Sequence, residues 1–200
     1  MKLAKTSLVL LAIQLVIVSS IAAKYLYQRQ SCPRVWTRTV AYDPELMMRG
    51  RYLSFRMYVD GCGRIAPPER QKDDPMAINS QNFWYIINGS TDRYPSRFAV
   101  ENHKLVAIPI SGQVTKRGNY RASQGTSGGV TVLAIPGGSC DSLLIEDPVN
   151  FYIAEHATDP TPLKPGQELW IEVTVPPKGL PRPIQLALKQ DGVWKQLAFQ

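Results

Sequence analysis

Histidine and cysteine are scarce: the 200 residues hold two of the first and three of the second. Two imidazoles and three thiols leave little from which to assemble a metal site. Three cysteines are also too few for a small disulfide-stapled scaffold. No carboxylate occurs before Asp43 and no proline before Pro33. Past residue 30, no segment of ten or more residues places its apolar side chains at helical spacing. His-Glu-x-x-His, Cys-x-x-Cys and a phosphate-cradling glycine-rich loop ahead of a helix are absent. Their absence argues against a zinc-protease pair, a dithiol redox centre and a P-loop. No cofactor and no metal site are expected, and the chain reads as non-catalytic.

What the chain does have is positive charge, 23 Lys+Arg against 16 Asp+Glu, for a net +7. An excess of that size raises nucleic acid as a partner. Its distribution argues otherwise. Residues 1–42 carry Lys2, Lys5, Lys24, Arg29, Arg34 and Arg38 with no acid to offset them. The rest of the chain is close to neutral. Binding to phosphates draws its affinity from counterions released by Lys and Arg on the folded surface, so nucleic acid is not expected.

The basic residues flank an apolar run. Eighteen uncharged residues, TSLVLLAIQLVIVSSIAA, separate Lys5 from Lys24. As a helix they span roughly 27 Å, close to the hydrocarbon thickness of a bilayer. Residues 1–30 therefore read as a transmembrane anchor with a helix over about 6–28. Lys2 and Lys5 hold its N-terminus in the cytoplasm, and Tyr25 and Tyr27 sit at the far interface. The competing reading is a cleaved secretory signal, with small residues Ser19, Ser20, Ala22 and Ala23 before the cut. Either way, residues 34–200 are exported as a single domain, single-pass anchored or released. In an oxidising compartment paired thiols persist as disulfides. Cys62 and Cys140 both lie in glycine-rich, turn-like settings and are the expected pair, although spacing leaves all three pairings open.

The exported part reads as mainly β, an antiparallel-rich domain of sandwich or barrel type with long loops. All sixteen prolines follow residue 32, marking ends, edges and turns. Tyr52–Val59 alternates as a strand does, and Phe83–Ile87 is a short apolar run. Arg97–Glu101 and Lys104–Ile110 flank Asn102-His103 as a hairpin, and Ile184–Leu188 and Val193–Leu197 flank Asp191-Gly192 as another. Val130–Ile135 and Val149–Ala154 are further strands. Glu168–Val175 turns Leu169, Ile171, Val173 and Val175 to one face, with Trp170 on the other beside Glu172. Asp43-Pro44 opens a single helical turn through Met48, with Asp43 as N-cap. Asp60–Ser80 and Ser111–Gly129 read as loops, the second carrying Lys116, Arg117 and Arg121.

Asp43-Pro44-Glu45-Leu46-Met47-Met48-Arg49-Gly50-Arg51-Tyr52-Leu53-Ser54-Phe55-Arg56 resembles the hallmark of the bacterial GDYXXLXY family. Phe151-Tyr152-Ile153-Ala154-Glu155-His156 is similar to its second marker, and Glu168 onward to its closing hairpin. The resemblance runs through most of residues 36–190. Arg51 stands where the family's Asp does, Phe55 for its Leu and Met57 for its last Tyr. It implies a membrane-anchored β domain associated with a multi-pass membrane protein, and no known reaction. Asp43, Pro44, Arg49, Gly50, Tyr52, Phe55, Phe151, Tyr152, Ile153 and Glu155 carry the motif. From the residues alone, Gly50 suits a tight turn, Arg49 the last carbonyls of a helical stub, and Glu155-His156 a turn.

The resulting expectation is a non-catalytic binding or accessory subunit working with another envelope protein. The alternative is an exported thiol hydrolase using Cys140 and His156, with Asp141 or Glu155 as orienter. An uncleaved anchor predicts a chain that keeps residues 1–30 and leaves membranes with detergent but not with alkaline carbonate. Mass spectrometry finding a mature N-terminus near Ala23 would select the signal instead.

Overall fold

The computed structural model describes residues 2–41, 52–69, 91–110, 129–154 and 157–198. Two compact units make up the chain, Met1–Pro33 and Arg34–Gln200. The first is one helix, α1 (Lys2–Ser31). Its apolar residues go all the way round the helix instead of forming a stripe, and Leu8 through Ile21 stay exposed. Ser7–Ser31 is long and apolar enough to cross a membrane. The hydroxyl of Ser20 donates to the Ile17 carbonyl at 2.7 Å, so this polar group is satisfied within the helix. Arg29 sits in the last turn, Cys32 N donates to Gln28 O, and Pro33 follows.

Among the described residues the second unit is a ten-stranded antiparallel sheet, as mainly β patterning requires: β1 (Arg34–Ala41), β2 (Tyr52–Val59), β3 (Asp92–Glu101), β4 (Lys104–Pro109), β5 (Val130–Ala134), β6 (Leu143–Ile145), β7 (Val149–Tyr152), β8 (Gln167–Thr174), β9 (Arg182–Gln190) and β10 (Val193–Leu197). Strand order is β10-β9-β8-β1-β2-β6-β5-β3-β4, with β7 on β2. Among the described residues the sheet does not close into a barrel. Where β2 ends it meets the far strand β4 in the isolated Asp60–Val106 bridge, with Asp60 N on Leu105 O and Ala107 N on Asp60 O.

β1 and β2 change partners along their length. Arg34–Arg38 of β1 pair with β8, and Thr39–Ala41 pair with β2. β2 in turn runs from β7 past β1 to β6. Thr37 Oγ1 donates to Tyr58 O at 2.6 Å where β1 leaves β8. The switch joins both halves of the sheet around one core that includes Val35, Phe55, Met57, Val132, Ile145, Leu169, Ile171, Val173 and Leu186. Leu133, Ile135 and Leu144 form a smaller cluster with Val40 and Tyr58 packed against it.

Several sequence expectations are altered by the structure. β1 and β6 are strands that the sequence pattern does not reveal, and Arg34 and Arg38 are not part of the basic leader. They belong to β1, so the folded unit holds nineteen basic against sixteen acidic residues, an excess of +3. β3 starts at Asp92, ahead of Pro95. Proline is tolerated there because the Pro95 carbonyl accepts from Ile110 N just past the end of β4, the side on which its missing N–H would have pointed. β5 and β7 stop before Ile135 and Ile153, and β9 extends beyond Ile184–Leu188 at both ends. Both hairpins stand. Asn102 and His103 both have positive φ, as do Asp191 and Gly192, the signature of two-residue turns that match strand twist. The helical turn at Asp43, the strand at Phe83–Ile87 and most of the two long loops lie outside the described residues.

Cys62 and Cys140 form a disulfide across 78 residues, the expected pair, while Cys32 is free. Beside it Gly61 N donates to Cys140 O. A Cβ at Gly61 would collide with the buried Leu143 side chain, so a larger residue here would force Leu143 to move. Such a bridge suggests an oxidising compartment, where paired thiols persist as disulfides. Native thiol labelling should modify one cysteine per chain, and reduction in denaturant should raise this to three. Replacing both bridged cysteines with Ala should cost about 2–4 kcal/mol in denaturant unfolding.

Candidate functional site

β1, β8, β9 and β10 form one half of the sheet, and its outer face carries the chemistry. Along β1, buried Val35, Thr37 and Thr39 alternate with outward Trp36 and Arg38. Along β8, buried Leu169, Ile171 and Val173 alternate with outward Glu168, Trp170 and Glu172. Register then sets Arg38 opposite Trp170, Trp170 opposite Ala187, and Lys189 opposite Trp194. Three tryptophans that are far apart in sequence therefore meet. Trp194 lies edge-on to Trp170, ring centroids 5.0 Å apart, and to Trp36 at 5.6 Å, the offset geometry that aromatic quadrupoles favour.

Polar groups surround the rings in paired form. Trp170 Nε1 donates to Glu168 Oε2 at 3.0 Å, and Arg38 reaches Glu168 Oε1 at 3.6 Å. The Arg38 guanidinium lies 4.2 Å over the Tyr58 ring. The Lys189 ammonium sits 5.1 Å from the Trp170 ring centroid and 5.5 Å from that of Trp194. Gln185 Nε2 donates to Glu172 Oε2 at 2.8 Å. The Arg38–Glu168 pair is too exposed to add much stability.

Two depressions share Trp36 and Trp170 as walls. One, of about 240 Å³, runs from these indoles past Tyr58 to Asp60, Lys104 and Asp141. The other, of about 530 Å³, continues to Ala187, Trp194, Gln196 and His103. Asp60 accepts from Cys62 N at 2.9 Å and pairs with Lys104 Nζ at 3.1 Å. The Ser142 hydroxyl donates to Asp141 at 3.1 Å. Hydrogen bonds from Ser139 and then Ser142 hold the Asp141 carboxyl below the usual carboxylate range.

Residues singled out by motif do not gather here. Phe55 is wholly buried in the core, and Phe151 and Ile153 pack against it. Tyr152, 75% exposed, lies on β7, which pairs with the start of β2 at Tyr52. Asp43, Pro44, Arg49, Gly50, Glu155 and His156 lie outside the described residues, as do Lys116, Arg117 and Arg121. Cys62 and Cys140 border the cleft through their turn but are bonded to each other. Reading the motifs missed Trp36, Arg38, Tyr58, Lys189 and Trp194. For Trp36, Arg38, Tyr58 and Lys189 the signal was present, since each sits on the polar phase of an alternating strand; β10 shows no alternation around Trp194. One motif was also overlooked: Gly125-Thr126-Ser127-Gly128-Gly129 spells Gly-x-Ser-x-Gly. The nucleophile elbow needs a helix after its serine, and here β5 begins at Val130. Among the described residues no cluster of His, Cys, Asp and Glu is arranged to hold a metal.

No family model, curated protein sequence or solved structure matches the chain.

A lowered carboxyl pKa means that the folded state favours ionised Asp141. Its contribution is therefore present above the ordinary carboxylate range and is lost as pH falls through the depressed value. Asp141→Asn should lower Tm at neutral pH by on the order of 1–2 °C. The difference from the parent should disappear in strong acid, as followed by thermal melts across pH.

Proposed function

We propose that this chain is a non-catalytic binding or accessory subunit of a bacterial envelope. In this reading α1 crosses the inner membrane with its N-terminus in the cytoplasm, and Arg34–Gln200 lies outside and docks on another membrane protein. An all-round apolar helix after Lys2 and Lys5 supports the tether. The Cys62–Cys140 bridge supports the outer location. The resemblance to the GDYXXLXY family points the same way.

The observation that carries the docking is the edge strand β10. Among the described residues it pairs only with β9. Val193 is 70% exposed and Trp194 45% exposed. One lysine, Lys195, is the only charge on this strand, which is light protection for an open ladder. Val193 and Gln190 flank the two-residue turn and face each other in the register. The backbone groups of Trp194 and Gln196 therefore point outward, where an added strand would bond.

Hydrolysis through Cys140 has less support. A sulfur held in a disulfide offers no thiolate, and a hydrolase would need the bridge open.

A photo-crosslinking residue at position 193 should trap one defined membrane protein in intact cells. Gln196→Pro removes an outward N–H while sparing the β9 ladder, and should reduce that product at least tenfold without shifting the melting curve by more than about 2 °C. Equal crosslinking in the proline variant would defeat strand addition. Thiolate-dependent hydrolysis by the oxidised protein would defeat the non-catalytic reading.

A further inference from the structure

We infer that the two depressions sharing Trp36 and Trp170 form one binding site for a neutral glycan chain, with pyranose rings resting on the indoles. The inference uses the outer sheet face and stands whether or not β10 accepts a strand.

Size and shape come first. A cleft of about 240 Å³ adjoins a groove of about 530 Å³. The second alone lies within the range of small-molecule sites, roughly 300–1,000 Å³. An elongated site of this kind suits a chain of several rings rather than a single compact metabolite.

Chemistry narrows the occupant. Apolar contact is supplied by Trp36, Trp170 and Trp194, whose edge-on packing at 5.0 and 5.6 Å holds the rings at fixed tilts. Trp194, 45% exposed, keeps much of its surface open to a ligand. An indole offers a flat apolar face and a polar tip. A sugar ring matches that pattern, with one face of C–H bonds and a rim of hydroxyls.

Charge decides against the main competitors. The two depressions are lined by three cations (Arg34, Arg38, Lys104) and three carboxylates (Asp60, Asp141, Glu168). With Lys189 beside the Trp170 and Trp194 rings the balance stays close to even, so a polyanion or polycation meets little net opposite charge there. A proline-rich strand also likes aromatic grooves, but its backbone brings chiefly carbonyl acceptors and leaves the carboxylates without donors. Hydroxyls both donate and accept. They satisfy the oxygens of Asp141, Asp60 and Glu168 and the nitrogens of Arg38 and Lys104 together, and desolvated polar groups need partners on both counts. Because Glu168 and Asp60 are already held by Trp170, Arg38, Lys104 and Cys62 N, their free lone pairs are aimed before the ligand arrives, which lowers the ordering cost of binding.

The test uses the full chain in detergent micelles, titrated by calorimetry and tryptophan fluorescence. The probes are hexasaccharides of β-1,4-linked N-acetylglucosamine, β-1,4-linked glucose and α-1,4-linked glucose, with a sulfated glycan and a proline-rich decapeptide as contrasts. Saturable binding of at least one neutral hexasaccharide at millimolar concentration or below is expected, with a shift in tryptophan emission. Trp194→Ala, at an exposed position, should weaken it at least tenfold, and Asp141→Asn at least threefold, with both variants melting as folded proteins. Val193→Asp, on the edge strand away from both depressions, should leave it unchanged. Failure of every neutral hexasaccharide at millimolar concentration overturns the inference. So does binding that Trp194→Ala leaves intact, or tighter binding of the sulfated glycan or the peptide.

Discussion

β1 has to serve two partners. Its first five residues bond to β8 and its last three to β2, and the rest of the folded unit depends on that division. A strand that leaves one neighbour for another bends the sheet, and the bend lets Val35, Phe55, Ile145 and Ile171 share a single core. Side chains alternate with period two, so the register that buries Val35, Thr37 and Thr39 also turns Trp36 and Arg38 outward. A slip of one residue would reverse every side chain and put two arginines into the core.

The seam created by this bend is also where the site forms. Tyr58 and Asp60 come from the end of β2, Lys104 from the β3–β4 hairpin, Trp170 from β8 and Asp141 from the turn closed by Cys62–Cys140. The disulfide, the Gly61–Cys140 hydrogen bond and the Asp60–Val106 bridge pin the end of β2 to β4 and to the turn before β6. Rigidity there has a direct consequence for recognition: polar groups held in fixed directions bind without first being ordered.

Much of this was legible in the residues and some was not. The Asn102-His103 and Asp191-Gly192 hairpins were readable because two-residue turns demand particular φ values that few residues supply. β8 was readable from its alternation, and the Cys62–Cys140 pair from its turn context. β1 was obscured because Arg34 and Arg38 follow directly on a basic leader, so charge masked the alternation of Val35, Thr37 and Thr39. β6 has only three residues, too few for a period to register. The site was harder still. An outward tryptophan on an alternating strand looks the same whether it stands alone or joins two others, and the family-like motif drew attention to Phe55 and Phe151, which serve the core.

Local rules therefore reach as far as the apolar helix after Lys2 and Lys5, the β character of the folded unit, its turns and its disulfide pair. Each of these depends on residues within a few positions of one another. Which strands become neighbours is a matter of long-range pairing, and no local pattern encodes it. Only the folded sheet brings the Trp36 and Trp170 rings each within 6 Å of the Trp194 centroid, across more than 150 positions of chain. The net charge likewise acquires its meaning from the fold, because Arg34 and Arg38 belong to a sheet whose acidic partners nearly balance them.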